Sequence, residues 1–594
     1  MRRFQKIKLY SVLKIIFHKM RERCVAVIFF CVFLILFVLQ IYGNQNTESI
    51  RYDDPQSITN FNKWLCKNSK CEKTFDNNGT TWQTCKMLCN NIPPLWPKPK
   101  SIEIRNKNSS TFLKEHIFLS IHSSDENLKK HLEDLANEFL KTLTNEEFYL
   151  HDGDNQSFKL HLHVSSIAMD LSVDTNESYR LYSQKVSEDL LVNIFADNYF
   201  GIRHGIETLR QLIWYDELSK KFRIFHDILI QDEPSFPHRG LLIDVSRHYF
   251  PLNLLKKTVN GMTISKLNVL HLHISDVESF PLELNNTNIL NVAYNAESRY
   301  TKEDIKELIE YARKRGIRVI IEVDAPSHVS AEAWPKSEVL CASPDVFKAT
   351  LNPDNPETFK TLQNVYEELF KLGTAREIFH IGDDEVVSDC WKRSGKSDVY
   401  KIWVQFTNNM LERVKLANNG TLPKNIVLWS SPLTDHYINS ISYQKELVVQ
   451  FWFGQFTHIL ENGYKIIFST VGQWYLDCGF GPWKKLQDHG SCDPYTDWKK
   501  FYKYRPWNNY SNRLSQVLGG EVCLWSEQVS ADDLETRLWP RTAAFAERVW
   551  SDPPIFDTND VYNRFDFHVH RLSKRGLRVA AIWPEFCSQF PDRC

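Results

Sequence analysis

Beyond Pro237 the chain repeats one pattern: a short, mostly apolar run, then a longer stretch in which charged and apolar residues alternate at helical spacing. The runs are Gly240–Asp244, Val269–Ile274, Arg318–Glu322, Glu377–Ile381, Ile426–Trp429, Leu447–Trp452, Tyr464–Ser469 and Val517–Cys523. Runs this short and this apolar suit parallel strands covered on both faces. Clear amphipathic helices, Lys302–Arg315 and Pro356–Leu372, lie between some of them. Eight strands with interleaved helices predict an α/β fold, a (β/α)8 TIM barrel over residues 237–594. The main rival is an open doubly wound sheet, but no Gly-rich phosphate loop follows the first strand.

A barrel of this kind presents its working groups at the C-terminal ends of its strands. Strand one is preceded by Arg239 and ends at Asp244; strand two supplies His271, His273 and Asp276. Strand three leads to Glu322, Asp324 and His328, and strand four to His380 and Asp383-Asp384-Glu385. Strands five and six end in Trp429 and Trp452; strand seven leads to Trp474, Tyr475 and Asp477, strand eight to Glu521, Trp525 and Glu527. Taken singly, each is better explained by a cap or a surface charge. Together they set carboxylates among tryptophans on one rim, with no Ser elbow and no Cys/His pair. That is the equipment of glycosidic cleavage, in which an acid protonates the leaving oxygen and anionic groups stabilise an oxocarbenium-like transition state. Asp384 and Glu385 are neighbours, so they face opposite ways along an extended strand. They converge on one sugar only where the strand turns into a loop.

The N-terminal part sets the compartment. Cys24–Tyr42 is apolar apart from Gln40 and matches the roughly 20 residues that span a bilayer. Eight Lys and Arg residues precede it, which predicts a cytoplasmic tail (1–23), a retained signal anchor (24–42) and a lumenal or extracellular remainder. A cleaved signal peptide normally has a shorter apolar core and a small-residue cleavage site. Seven Asn-x-Ser/Thr sequons, at Asn78, Asn108, Asn155, Asn176, Asn285, Asn419 and Asn509, all follow the anchor. So do 11 of the 13 Cys, whose spacing contains no clean CxxC pair, so disulfides are expected rather than zinc. Eleven is odd, so one thiol is free or pairs between chains. Residues 43–92 read as a Cys-bearing stem, and 93–236 as a smaller α/β domain that begins at the stiff Pro93-Pro94-Leu95-Trp96-Pro97-Lys98-Pro99. In that domain strands are expected at Lys159–Val164 and Ser178–Leu181, and helices at Glu126–Thr144 and Gly201–Tyr215. A net charge of −1 gives no field to draw nucleic acid.

Ordered motifs sharpen this reading. They run from Leu95-Trp96-Pro97-Lys98-Pro99 and Asn198–Thr208 through His238-Arg239-Gly240-Leu241-Leu242-Ile243-Asp244 and Lys266–His273 to Asp324-Ala325-Pro326-Ser327-His328, Trp474-Tyr475-Leu476-Asp477, Gly519-Gly520-Glu521 and Leu538-Trp539-Pro540-Arg541. From Leu95 to Cys594 the chain resembles the family 20 glycoside hydrolases, the β-N-acetylhexosaminidases. The resemblance implies a substrate-assisted retaining mechanism, in which the 2-acetamido oxygen of the sugar attacks C1. Glu385 is then the general acid and base, and Asp384 orients the acetamido N–H and stabilises its positive charge. Tyr475 binds the acetamido oxygen, Trp429, Trp452 and Trp525 wall the pocket, and Arg239, Asp477 and Glu527 hold sugar hydroxyls. Asp276, His328 and His380 support the catalytic pair from behind. No metal or organic cofactor is implied, and a homodimer is compatible with the family.

Two departures matter. The family has two glycines before the catalytic pair, but here the second is Asp383, which adds a third carboxylate and opens the alternative of a catalytically silent sugar-binding homologue. After Cys341, where insect chitin-degrading enzymes carry Val-Glu, this chain has Ala342-Ser343. With the anchor, that resembles the fused-lobes-type insect hexosaminidases, which trim terminal N-acetylglucosamine from N-glycan antennae in the Golgi or at the plasma membrane. A chitooligosaccharide-degrading or broad-specificity hexosaminidase is the alternative.

Overall fold

The computed structural model describes residues 63–90, 92–143, 156–285, 287–341, 349–374, 376–395, 397–485, 488–490, 492–554, 558–590 and 593–594. The tail, the apolar run Cys24–Tyr42 and the stem up to residue 62 lie outside the described residues. Among those described, no helix is long and apolar enough to cross a membrane. Trp64–Lys73 and Asn78–Cys594 form one compact unit; the described residues of the other unit are Lys63 and Thr74–Asn77.

The smaller α/β domain is a six-stranded sheet. Its strands are β1 (Ser101–Ile104), β2 (Ile117–His122), β3 (Phe158–Val164), β4 (Tyr179–Val186), β5 (Asp189–Ala196) and β6 (Ile228–Asp232), in the order β1-β6-β4-β5-β3-β2. Helices α1 (Glu126–Thr142) and α2 (Tyr199–Leu212) follow β2 and β5. Alternation puts Phe158, Leu160 and Leu162 of β3 in the core and turns His161 and His163 the other way. Asn198 caps α2 by accepting hydrogen bonds from the backbone N–H groups of Phe200 and Gly201. A Cβ on Gly201 would stand 2.4 Å from the Ser178 carbonyl oxygen, so only glycine lets the helix lie this close to the sheet. The sequence expectation of a helix through Tyr215 is corrected here. Ile213–Asp216, rich in β-formers, leaves the helix and pairs with Lys221–Phe225 in a separate three-stranded sheet.

The eight barrel strands are β7 (His238–Asp244), β8 (Val269–Ser275), β9 (Arg318–Val323), β10 (Ile378–His380), β11 (Asn425–Trp429), β12 (Leu447–Phe451), β13 (Lys465–Phe468) and β14 (Val517–Leu524). They run parallel in the order β9-β8-β7-β14-β13-β12-β11-β10. The barrel is nearly closed: β9 and β10 share no ladder, but Ala325 and Gly382 bridge them just above their ends. Helices α3 (Leu252–Ile264), α4 (Lys302–Arg313), α5 (Pro356–Leu372) and α6 (Val399–Ala417) follow the first four strands. Thr301 and Asp304 form a capping box at the start of α4; α5 opens with Asn355 and Pro356 and stops at the left-handed Gly373.

The inside of the barrel is layered. Val269, Ile320, Ile378, Val427, Val448, Ile467 and Leu518, each from a different strand, make an apolar floor. Two residues further along the same strands come His271, Glu322, His380, Trp429 and Gln450, a polar layer that is almost wholly buried. The pocket lies above that layer.

The cysteines pair as Cys66–Cys89, Cys71–Cys85, Cys341–Cys390, Cys478–Cys492 and Cys587–Cys594. Cys523 is the odd thiol, free and buried on β14.

Candidate active site

At the C-terminal mouth of the barrel lies a cavity of about 180 Å³, lined by Arg247, His273, Asp276, Asp324, His328, Asp384, Glu385, Trp429, Trp452, Val471, Tyr475, Asp477, Cys492, Trp525 and Glu527. Asp384 and Glu385 reach it together because the turn after β10 abandons extended backbone. Gly382, Asp383 and Glu385 have φ of 72°, 72° and 46°, all in the left-handed region. Gly382 is required here, since a Cβ would stand 1.6 Å from Asp324 Oδ1. That same oxygen accepts the Asp383 backbone N–H at 2.9 Å and pins the turn.

The two carboxylates sit in different surroundings. The Glu385 side chain is 58% exposed and accepts a hydrogen bond from His328 Nε2 at 3.2 Å, which holds its pKa below the usual glutamate value. Asp384 is buried, and burial together with the neighbouring charge of Glu385 pushes it up to about 7, against the opposing pull of His328. Asp477 is pushed up to about 8 by burial and by Glu527.

Behind Glu385 stands a chain of alternating imidazoles and carboxylates that descends into the barrel. His328 Nδ1 lies 3.1 Å from Asp276, Asp276 is 2.9 Å from His273 Nε2, and His273 Nδ1 is 2.8 Å from Glu322. Glu322 lies 3.1 Å from His271 Nε2, His271 Nδ1 is 2.7 Å from Glu521, and Glu521 accepts from His238 at 2.9 Å. Burial alone would strip the proton from these histidines, but the flanking carboxylates outweigh it at three of them: His271 is raised to about 9, and His273 and His328 well above the ordinary value, while at His238 burial prevails and lowers the pKa. The layer also fixes the pocket walls. Trp429 Nε1 donates to Glu322 at 2.7 Å, and His380 Nδ1 accepts the Gly382 backbone N–H at 3.0 Å. Trp452 is held by its Nε1 on the Ser430 carbonyl at 2.8 Å.

Of the residues expected from sequence, Asp276, His328, Asp384, Glu385, Trp429, Trp452, Tyr475, Asp477, Trp525 and Glu527 line this one cavity, and His380 lies beneath it. Arg239 does not reach it and is corrected. It stands at the N-terminal end of β7, fully buried, with its guanidinium on Glu177 at 2.6 Å and on the Phe236 carbonyl at 3.0 Å. The cavity's arginine is Arg247, just past the C-terminal end of β7, bound to Asp244, Asp276 and Glu278. The barrel rule carried the signal: only the residue after the strand is on the working side. Asp324 was legible in the strand-end pattern but was not singled out.

Residues 236–553 match the catalytic domain of glycosyl hydrolase family 20. The chain belongs to that family. Residues 95–212 match the accompanying domain described as beta-acetyl hexosaminidase like. Among family 20 relatives, the chain is 34% identical to the probable beta-hexosaminidase fdl of Drosophila melanogaster, over 89% of this chain and 90% of that protein. It is 33% identical to a chitooligosaccharidolytic beta-N-acetylglucosaminidase of Bombyx mori, over 90% and 95%. The family 20 beta-N-acetylhexosaminidase structure from Streptomyces coelicolor shares the fold, with a TM-score of 0.64 at 23% identity over 83% of this chain and 98% of that one.

Against the family 20 pattern, the unusual Asp383 turns out not to be a third carboxylate in the pocket. Its side chain is fully buried on the far side of the turn and accepts hydrogen bonds from Trp403 Nε1 at 2.7 Å and Thr407 Oγ1 at 2.8 Å, both on α6. Burial raises its pKa well above the usual value, the two donors oppose that shift, and Asp384 adds to it. Ala342 and Ser343, the subtype signal, lie outside the described residues.

Proposed function

We propose that this family 20 β-N-acetylhexosaminidase removes terminal β-linked N-acetylglucosamine from N-glycan antennae while anchored in a Golgi or plasma membrane by Cys24–Tyr42. The observation that carries the catalytic reading is the pairing of an exposed, His328-held Glu385 with the buried Asp384 beside it, in one tryptophan-walled cavity. The proton of the His328–Glu385 pair rests on the imidazole, which Asp276 steadies from its other nitrogen. A bound sugar excludes water from Glu385, raises its pKa and draws that proton across. Glu385 then protonates the glycosidic oxygen as the acetamido oxygen attacks C1, the C1–O bond breaks, and an oxazolinium forms. Asp384 accepts the acetamido N–H and stabilises the positive charge, and Tyr475 hydrogen-bonds the acetamido oxygen. Glu385, now a carboxylate, takes a proton from the water that opens the ring at C1, so configuration is retained.

The antennal specificity rests on the apolar run with its basic flank and on Ala342-Ser343; the likeness to the Drosophila protein supports the beta-hexosaminidase activity. A lumenal route is supported by the sequons: Asn78, Asn108, Asn176, Asn285, Asn419 and Asn509 are all exposed, and Asn155 lies outside the described residues. A homodimer stays part of the proposal on family grounds alone. The likeness to the Bombyx mori enzyme favours a second reading, chitooligosaccharide degradation. Incubating the protein with a GlcNAc-terminated biantennary N-glycan and chitotriose in one tube, with products read by mass spectrometry, separates them. Loss of one GlcNAc with chitotriose intact is the expected outcome; cleavage of chitotriose with the glycan untouched overturns the antennal reading.

A further inference from the structure

The open face of the smaller domain's sheet carries a cluster that the pocket chemistry does not use. His161 and His163 alternate on β3 and so point the same way, and the β2–β3 register places His122 beside His163. One ring nitrogen from each of the three lies within 4.8 Å of the others, and His122 Nε2 is 3.2 Å from His161 Nδ1. In a tetrahedral site with Zn–N bonds of about 2.0–2.1 Å, ligand nitrogens stand about 3.3 Å apart. His163 is already oriented: its Nε2–H donates to Asn193 Oδ1 at 3.1 Å and its ring stacks on Phe195 at 4.2 Å, which leaves Nδ1 with its lone pair. Of the nearby cations, Lys159 is tied to Asp189 at 2.6 Å and Arg180 lies over the Phe195 ring at 5.7 Å.

We propose that His122, His161 and His163 bind one divalent transition-metal ion, Zn2+ or an ion of the same imidazole preference, with water at the fourth position. Three neutral imidazoles without a carboxylate select such ions over Ca2+ and Mg2+, which seek oxygen ligands. One adjustment is needed. His122 lies flat on His163, with the planes 3° apart, and must swing out of that stack to aim its nitrogen at a shared ion. It is exposed at the end of the edge strand β2, so the turn gives up only the stack on His163 and the present contact with His161 Nδ1. Cysteine spacing carries no sign of this site, because its ligands are imidazoles on two strands.

The test is retention of Zn2+ by the full-length protein after chelation and dialysis against Zn2+, measured as metal per chain. The wild type is expected to keep one ion, and the His161→Ala/His163→Ala double variant to lose it, with hydrolysis of a GlcNAc glycoside equal in both. His122→Ala, an exposed change that spares the fold, is expected to weaken binding at least about tenfold, and Asn193→Ala roughly tenfold through loss of the orienting bond. Co2+ bound by the wild type should give the intense visible bands of a tetrahedral site, absent in His122→Ala. No retained Zn2+ in the wild type, or equal retention in the variants, overturns the proposal. Because the readout is metal content, it is independent of whether the glycan reading holds.

Discussion

Glu385 and Asp384 differ by one position and by almost everything in their environment, and that difference is what their chemistry uses. Replacing Glu385 with Gln keeps the shape but removes the transferable proton, so kcat should fall by about 10²–10⁴-fold with KM little changed, measured on an unactivated glycoside. A variant that turned over normally would displace Glu385 from the acid role. The two arginines make a sharper contrast. Arg247→Ala removes a cation from the pocket wall, and kcat/KM should drop by about 10–100-fold, as expected when a charged hydrogen bond of about 1.5–3 kcal/mol is lost. Arg239→Ala leaves Glu177 buried without its guanidinium partner, which should cost about 3–5 kcal/mol of stability. Kinetics per folded molecule should be unchanged in that variant, a split readable from thermal melts beside active-site titration.

At the scale of elements, the turn after β10 is a small piece of strained backbone held by its neighbours. Asp324 pins it from β9, His380 from below, and Asp383 ties it to α6. Asp383→Gly would relieve the left-handed non-glycine residue but orphan one buried donor, Trp403 Nε1–H, while the Thr407 hydroxyl keeps the Trp403 carbonyl at 3.0 Å as its acceptor. The orphaned group costs about 1–3 kcal/mol, so the melting temperature should fall and turnover should not rise. A large gain in turnover would instead mean that Asp383 silences the site. Little of this was legible beforehand. A carboxylate next to two others reads as added pocket charge in a sequence, because sequence does not say on which side of a left-handed turn it falls.

For the whole molecule, the buried acids and imidazoles give stability a direction with pH. Asp477 has a folded pKa of about 8, above the unfolded value, so the folded state holds the extra proton and stability declines as pH rises from about 4 through 8. His271, raised to about 9, acts in the same sense: its contribution is full below its unfolded pKa and is lost as pH rises through 9. These two groups therefore favour pH 5 over pH 8, against the buried His204, His238, His380 and His568, whose lowered pKa values cost stability as pH falls. Asp477→Asn should remove its part of the preference for pH 5, measured by thermal scans across the range. A stronger preference for pH 5 in the variant would contradict the assignment.

The barrel was written in the sequence because parallel strands buried on both faces need continuous apolar runs, and each of the eight expected strands is found within about two residues of its expected ends. The rim of acids and tryptophans was legible for the same reason, since strand ends fix the working side. Three things were not. Arg239 and Arg247 are eight positions apart, and only the direction of β7 through the barrel decides which one meets the cavity. The chain from Glu385 to His238 joins residues from several strands whose adjacency follows from closure of the sheet. The histidines on β2 and β3 are far apart in sequence and meet because two parallel strands pair in one register. Local pattern sets what each segment becomes; which side chains share a charge, a proton or an ion depends on contacts that exist only once the chain has folded.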